Sequence, residues 1–254
     1  MTADGGDQVD GQAPELNTLV LCDLVNFTAL VEKLGDQNAA RLIRKHDRMA
    51  RALLDTHQGR EIDKTDGFLL LFVRPIQAVA FALDYLRGLA HLSAAEGMSL
   101  RARVGVHMGE VLIWQNPEVD IRRGAKPIEV EGLAKPITAR LAQMALPGQI
   151  LISAAAAGLA RRAVTELDMA NQASGLGWKH HGRYRFKGVP DPVEVIEVGE
   201  RHSAPLRTPS STRNARRLLP LWRHPLMLVI ETAVLLVTVS MGLWFDLRGP
   251  SALA

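Results

Sequence analysis

Apolar positions along the chain follow two rhythms, and they divide it into strands and helices. Residues 16–23, LNTLVLCD, form an apolar run that predicts a buried strand, and the break at Asn26 precedes a helical segment starting near Thr28. Asp36 reads as the cap of a second helix, which sets Leu42, Ile43, Met49, Ala50, Leu53 and Leu54 on one face and ends near Gly59. His46 lies on that stripe, where a histidine is most often a satisfied core-edge residue rather than a ligand. The stretch REIDKTDGFLLLFV gives two strand-like runs joined at Asp66-Gly67, a dipeptide suited to a tight hairpin.

Pro75 opens a helix that reaches Ala95, LRARVGVHMGEVLI reads as a strand, residues 133–145 as a helix and QILIS as a further strand. The predicted order is βααββαββαβ, with late strands in GRYRFKGV and VEVIEV closing one domain near residue 200. Residues 1–14 are rich in Gly and Asp without periodicity and read as a disordered tail. The Gly5-Gly6-Asp7 triplet there has no flanking strand pattern, so it carries no chemistry.

Residues 226–245 form an apolar stretch from Leu226 to Phe245 with one charge, Glu231, long enough as a helix to cross about 30 Å of hydrocarbon. Trp222 and Trp244 suit its two interfaces. The expected division is therefore a tail (1–14), a domain (15–200), a basic linker (201–224), a transmembrane helix (225–246) and a short far-side tail (247–254).

Charge sharpens that division. The formal net charge of +3 becomes −3 once the six arginines of residues 201–224 are set aside, so the domain has no basic surface for nucleic acid. Arg213, Arg216, Arg217 and Arg223 precede the apolar stretch, which by the positive-inside rule puts the domain in the cytoplasm of a single-pass protein of a bacterial inner membrane. Composition, 47% hydrophobic and 22% charged, fits a folded α and β domain. The one cysteine, Cys22, lies in an apolar run and reads as a buried, inert thiol.

Two carboxylates end strands, Asp23 after the first and Asp66 at the hairpin tip, and neighbouring strands would let both bind a hard divalent cation. An Asp before Gly is by itself most often a turn former. Their surroundings carry more. From about residue 16 to residue 198 the chain resembles the class III adenylate and guanylate cyclases: LVLCDLVNFTALVEKLG is similar to that family's first strand and phosphate-binding turn, and TDGFLLLF to its metal-binding hairpin. RVGVHMGEV resembles its central strand, VEGLAKPITARLAQMALPGQILIS its transition-state segment, and RFKGVPDPVEVIEV its closing strands.

The resemblance implies an α+β, ferredoxin-like cyclase domain that converts ATP or GTP to a cyclic nucleotide and pyrophosphate. It also implies two Mg²⁺ or Mn²⁺ ions on Asp23, Asp66 and the Leu24 carbonyl. By the same resemblance, backbone N–H groups of Val25, Asn26, Phe27 and Thr28 bind phosphates, and Arg140 stabilises the transition state across a homodimer with shared sites.

Four positions depart from the family pattern. Asn26 replaces a glycine, a change that Asn tolerates because it accepts positive φ. Pro136 stands where the family has a ribose-orienting asparagine, which implies low activity. Ile62 stands at a purine-selecting position; strand alternation offers Lys64 instead, and Glu129, in place of an aspartate, favours ATP over GTP. The alternative reading is a non-catalytic module on the same fold, acting in regulation, dimerisation or nucleotide binding.

Overall fold

A computed structural model of the chain describes residues 13–64, 67–164, 175–218 and 236–241. The first strand, β1 (Glu15–Leu24), alternates faces, so that Val20 and Cys22 enter one core while Leu19 and Leu21 enter another. It is followed by α1 (Phe27–Leu34), α2 (Asp36–Thr56), β2 (Arg60–Lys64), β3 (Gly67–Phe72), α3 (Pro75–Ala95) and β4 (Ala102–Gln115). Next come α4 (Glu118–Ile121), β5 (Ile128–Glu131), α5 (Ala134–Met144), β6 (Ile150–Ser153), α6 (Ala154–Ala163), β7 (Leu176–Phe186), β8 (Val193–Glu200) and β9 (Ala215–Arg217).

The strands form one sheet in the order β2-β3-β1-β4-β6-β8-β7-β9, with β5 paired to the far half of β4. The β4–β6 pair is parallel and the other registered pairs are antiparallel. One face carries the larger core, in which Val20, Phe68, Phe72 and Val104 meet Val79 and Phe81 of α3 and Ala156 and Ala160 of α6. The other face carries α5. Gly105 of β4 permits that contact, since a Cβ there would lie 2.4 Å from the Thr138 carbonyl oxygen and 2.5 Å from the Ala142 nitrogen.

The expected element order is present, with three additions. Short α4 and the Ala-rich α6 interrupt it, and the chain does not leave the domain at residue 200: residues 201–217, expected as linker, fold back on the sheet and end in β9. The chain accordingly divides into two compact units, 1–216 and 217–254. Asp36 is not the cap of α2; Gly35 holds that position at φ 74°, and Asp36 sits in the first turn, where an acid complements the helix dipole.

The stretch from Leu226 to Phe245 falls mostly outside the described residues. Residues 236–241 are helical and exposed, and among the described residues no helix is long and apolar enough to cross a membrane.

Candidate active site

Asp23 lies near the end of β1, directly opposite Gly67 on β3 and Arg103 on β4. Alternation from Leu19 and Leu21 turns its carboxylate to the face of α5, where Arg103 Nη2 forms an ion pair with Asp23 Oδ2. Arg103 Nη1 also donates to the Gln143 carbonyl oxygen at 3.4 Å, and Arg140 Nη1 donates to the side chain of that same Gln143 at 3.3 Å. A continuous polar path therefore links Asp23, Arg103, Gln143 and Arg140 at one end of the sheet. The Nε atoms of Arg103 and Arg140 are buried and have no hydrogen-bond partner among the described residues.

After Leu24, which pairs with Ala102, the chain turns sharply. Val25 donates its N–H to the Arg101 carbonyl oxygen at 2.9 Å, Asn26 takes the left-handed conformation at φ 57° and ψ 33°, and Phe27 and Thr28 begin α1. No side chain caps this helix start, so its first N–H groups remain available to phosphate oxygens. Asn26 thus supplies the positive φ expected of a glycine at this point.

Asp66 lies outside the described residues. Its neighbour Gly67 packs so closely on β1 that a Cβ would stand 2.0 Å from the Cys22 carbonyl oxygen, so the hairpin meets β1 beside Asp23 only if this residue is glycine. Among the described residues no group of three or more His, Cys, Asp or Glu is placed to hold a metal. The donor types described, a carboxylate oxygen and a strand-end carbonyl, are those a hard cation takes, but the Asp23 carboxylate is held by the Arg103 guanidinium, which a cation would have to displace.

The expected purine pair is not brought together. A β-bulge between Glu61 and Asp63 breaks the alternation of β2, so Ile62 packs with Leu69 and Leu71 on one face while Lys64 pairs with Phe68 on the other. Lys64 Nζ meets Asp47 Oδ2 of α2 at 2.6 Å and lies 5.9 Å from the Phe68 ring centre, which removes Lys64 from the face assigned to it by regular alternation. Glu129 pairs with Trp114, and its neighbours Ile128 and Val130 pack on the cluster of Ile62, so Glu129 faces away from that cluster.

The network behind Lys64 accounts for His46, as expected of a satisfied core residue: its ring bonds Tyr85 Oη at 2.8 Å and Asp47 Oδ1 at 3.2 Å. Burial holds its pKa below the ordinary value of 6.5 against the opposing pull of Asp47. The Cys22 thiol, beside Asp23 in the chain, is 1% exposed, and burial raises its pKa, as an inert thiol requires.

Pro136 is the third residue of α5, in the turn whose N–H groups need no helical partner, so it is accommodated without a kink. Thr138, the hydroxyl two residues along the helix, is fully buried and donates to the Ala134 carbonyl oxygen at 2.7 Å. Arg103 is the site residue that sequence reasoning passed over. Its signal was only its place in RVGVHMGEV, and its pairing with Asp23 depends on the β1–β4 register.

Comparison with known proteins agrees with this fold. The adenylyl cyclase CyaB of P. aeruginosa superposes with a TM-score of 0.60 at 17% identity, over 74% of this chain and 96% of that one. The guanylyl cyclase Cya2 gives 0.60 at 21% identity, over 74% and 94%. The guanylate cyclase domain of RhGC from Catenaria anguillulae, solved in complex with GTP, gives 0.59 at 17% identity, over 74% and 97%. At these identities the likeness concerns the fold.

A curated relative, the serine/threonine-protein kinase pkn2 of Myxococcus xanthus, is 29% identical over 102 residues, 39% of this chain but only 12% of that protein, so the match spans a small part of the kinase's length. The family model of the adenylate and guanylate cyclase catalytic domain matches residues 10–184, more than half of the chain, and the chain belongs to that family.

Proposed function

We propose that this chain is a membrane-anchored nucleotidyl cyclase that makes a cyclic nucleotide and pyrophosphate, from ATP in preference to GTP, as a homodimer with shared sites. The observation that carries the reading is the common corner of Asp23, the Asn26 turn and α5, tied together through Arg103. Asp23, Asp66 and the Leu24 carbonyl would hold two Mg²⁺ or Mn²⁺ ions. When bound, such ions neutralise the triphosphate and acidify the ribose 3′-hydroxyl.

The chain's own groups do the rest. N–H groups of residues 26–28 receive the β- and γ-phosphates, the Val25 N–H being taken by the Arg101 carbonyl oxygen, and the Arg103 guanidinium stands at the same corner to meet the same oxygens. The 3′-hydroxyl gives up its proton to solvent, and its oxygen bonds to the α-phosphorus as the bond to pyrophosphate breaks. Arg140 of the second subunit meets the charge that gathers on the α-phosphoryl oxygens. Base preference rests on Glu129, whose carboxylate can accept from the exocyclic amine of adenine. The anchor is the apolar stretch 226–245, with the domain cytoplasmic at a bacterial inner membrane, on the strength of the preceding arginines.

Three observations favour a second reading, a regulatory or nucleotide-binding module: Pro136 offers no donor, Thr138 is engaged within its helix and Lys64 is held by Asp47. Assay of the full chain with ATP or GTP and either metal separates the two. The cyclase reading expects cyclic product, cAMP above cGMP. It also expects a loss of about a hundredfold or more in Asp23→Ala/Asp66→Ala and in Arg140→Ala, and recovery when those inactive variants are mixed. Absence of cyclic product with every pairing of nucleotide and metal sinks it.

A further inference from the structure

The last residue of a helix leaves carbonyl oxygens without helical partners, and at the end of α5 those oxygens are met from outside. Arg103 Nη1 reaches the Gln143 carbonyl oxygen, and the backbone N–H of Ser210 donates to the Met144 carbonyl oxygen at 3.0 Å. Ser210 belongs to the segment that follows β8, far from α5 in sequence. A cluster of buried polar side chains holds the segment there.

Glu197 of β8, Gln149 and His181 are 0%, 0% and 1% exposed. Glu197 Oε2 accepts from Gln149 Nε2 at 2.7 Å and pairs with His181 Nε2 at 2.8 Å, while Glu197 Oε1 accepts the Leu206 N–H at 2.6 Å. Gln149 Nε2 also donates to the Arg207 carbonyl oxygen at 2.7 Å, and its Oε1 accepts the Leu146 N–H at 2.9 Å, in the loop that leaves α5. Lys179 Nζ donates to the Leu206 carbonyl oxygen. Pro205 and the buried Pro209 stiffen the same stretch. A buried carboxylate is costly unless fully bonded, and here two of its three partners, Gln149 and Leu206, lie in the segments that frame the end of α5, the third being His181 of β7.

We infer that residues 205–210 form a strap that positions α5, so that Glu197 and Ser210 are positioning residues acting on the proposed reaction through Arg140, one helical turn before Met144. The inference rests on the proposed role of Arg140. It gives the chain after β8 a part in the site rather than that of a tether. Displacement of the strap frees the Met144 carbonyl and loosens the last turn of α5, and an arginine displaced by about 1 Å loses rate steeply.

Hydrogen exchange and kinetics on the full chain test this. In the unsubstituted protein the amides of Leu206 and Ser210 should exchange together with those of residues 141–146, as one cooperative unit. Fast exchange at 206 and 210 beside a protected α5 overturns the strap whether or not the protein is a cyclase.

Ser210 is exposed, so Ser210→Pro removes one N–H while Ser210→Ala keeps it. Ser210→Pro should lower kcat by about tenfold or more with KM for nucleotide unchanged and speed exchange at 141–146, and Ser210→Ala should match the parent. In an Arg140→Ala background, Ser210→Pro should change turnover no further. Parental kcat in Ser210→Pro, or an equal loss in both backgrounds, overturns the positioning role. Should Ser210→Pro not fold, Glu197→Gln, which keeps one acceptor oxygen, takes its place with the same expected split.

Discussion

A single left-handed residue sets the entrance to the site. Asn26 could be read from the sequence because the demand for positive φ is local, and few residues besides Gly and Asn meet it cheaply. Lys64 could not be read correctly, because a bulge is a property of two strands together and one extra residue reverses the face of everything after it. His107 shows burial acting on a titratable group: its Nδ1 lies 2.8 Å from Ser153 Oγ, and burial pushes its pKa down from 6.5 to about 4. Between those values the unfolded chain binds the extra proton and the folded one does not. This contribution to stability is complete above pH 6.5 and is lost as pH falls toward 4, up to about 3 kcal/mol in all. Urea unfolding of His107→Asn at pH 7 and pH 4.5 should show a smaller drop than the parent; an equal drop assigns the acid sensitivity elsewhere.

At the level of elements, α5 joins a proline at its start, a glycine beneath it and a strap at its end. Helix boundaries such as α3 (Pro75–Ala95) were legible because proline and apolar spacing are strong local signals. The strap was not legible, since its arginines and prolines look like linker and its hold is a buried Glu197 that lies in an otherwise ordinary strand run. Pro136 sits where a side chain can change without harm to the helix, so Pro136→Asn should leave the melting temperature within a few degrees and raise kcat about tenfold or more by restoring a donor. An unchanged kcat in a folded Pro136→Asn protein would mean that another group orients the ribose. Thr138 is not that group while it remains bonded to Ala134.

Across the whole molecule, β1 is an inner strand, flanked by β3 and β4 along most of its length. The order of the domain's elements followed from the sequence, but the strand neighbours did not, because pairing across tens of residues leaves no local mark. That central placement has a consequence for measurement. Cys22 is the chain's one thiol and lies beside the candidate ligand Asp23 at 1% exposure, so it acts as a built-in clock for the opening of this strand. A thiol reagent should label the native protein only at the rate at which β1 parts from its neighbours. Saturating nucleotide with Mn²⁺ should slow that rate in proportion to the fraction of sites left empty, by about a hundredfold at a concentration a hundred times Kd. Labelling that is rapid and indifferent to ligand would show β1 opening on its own, apart from the rest of the sheet.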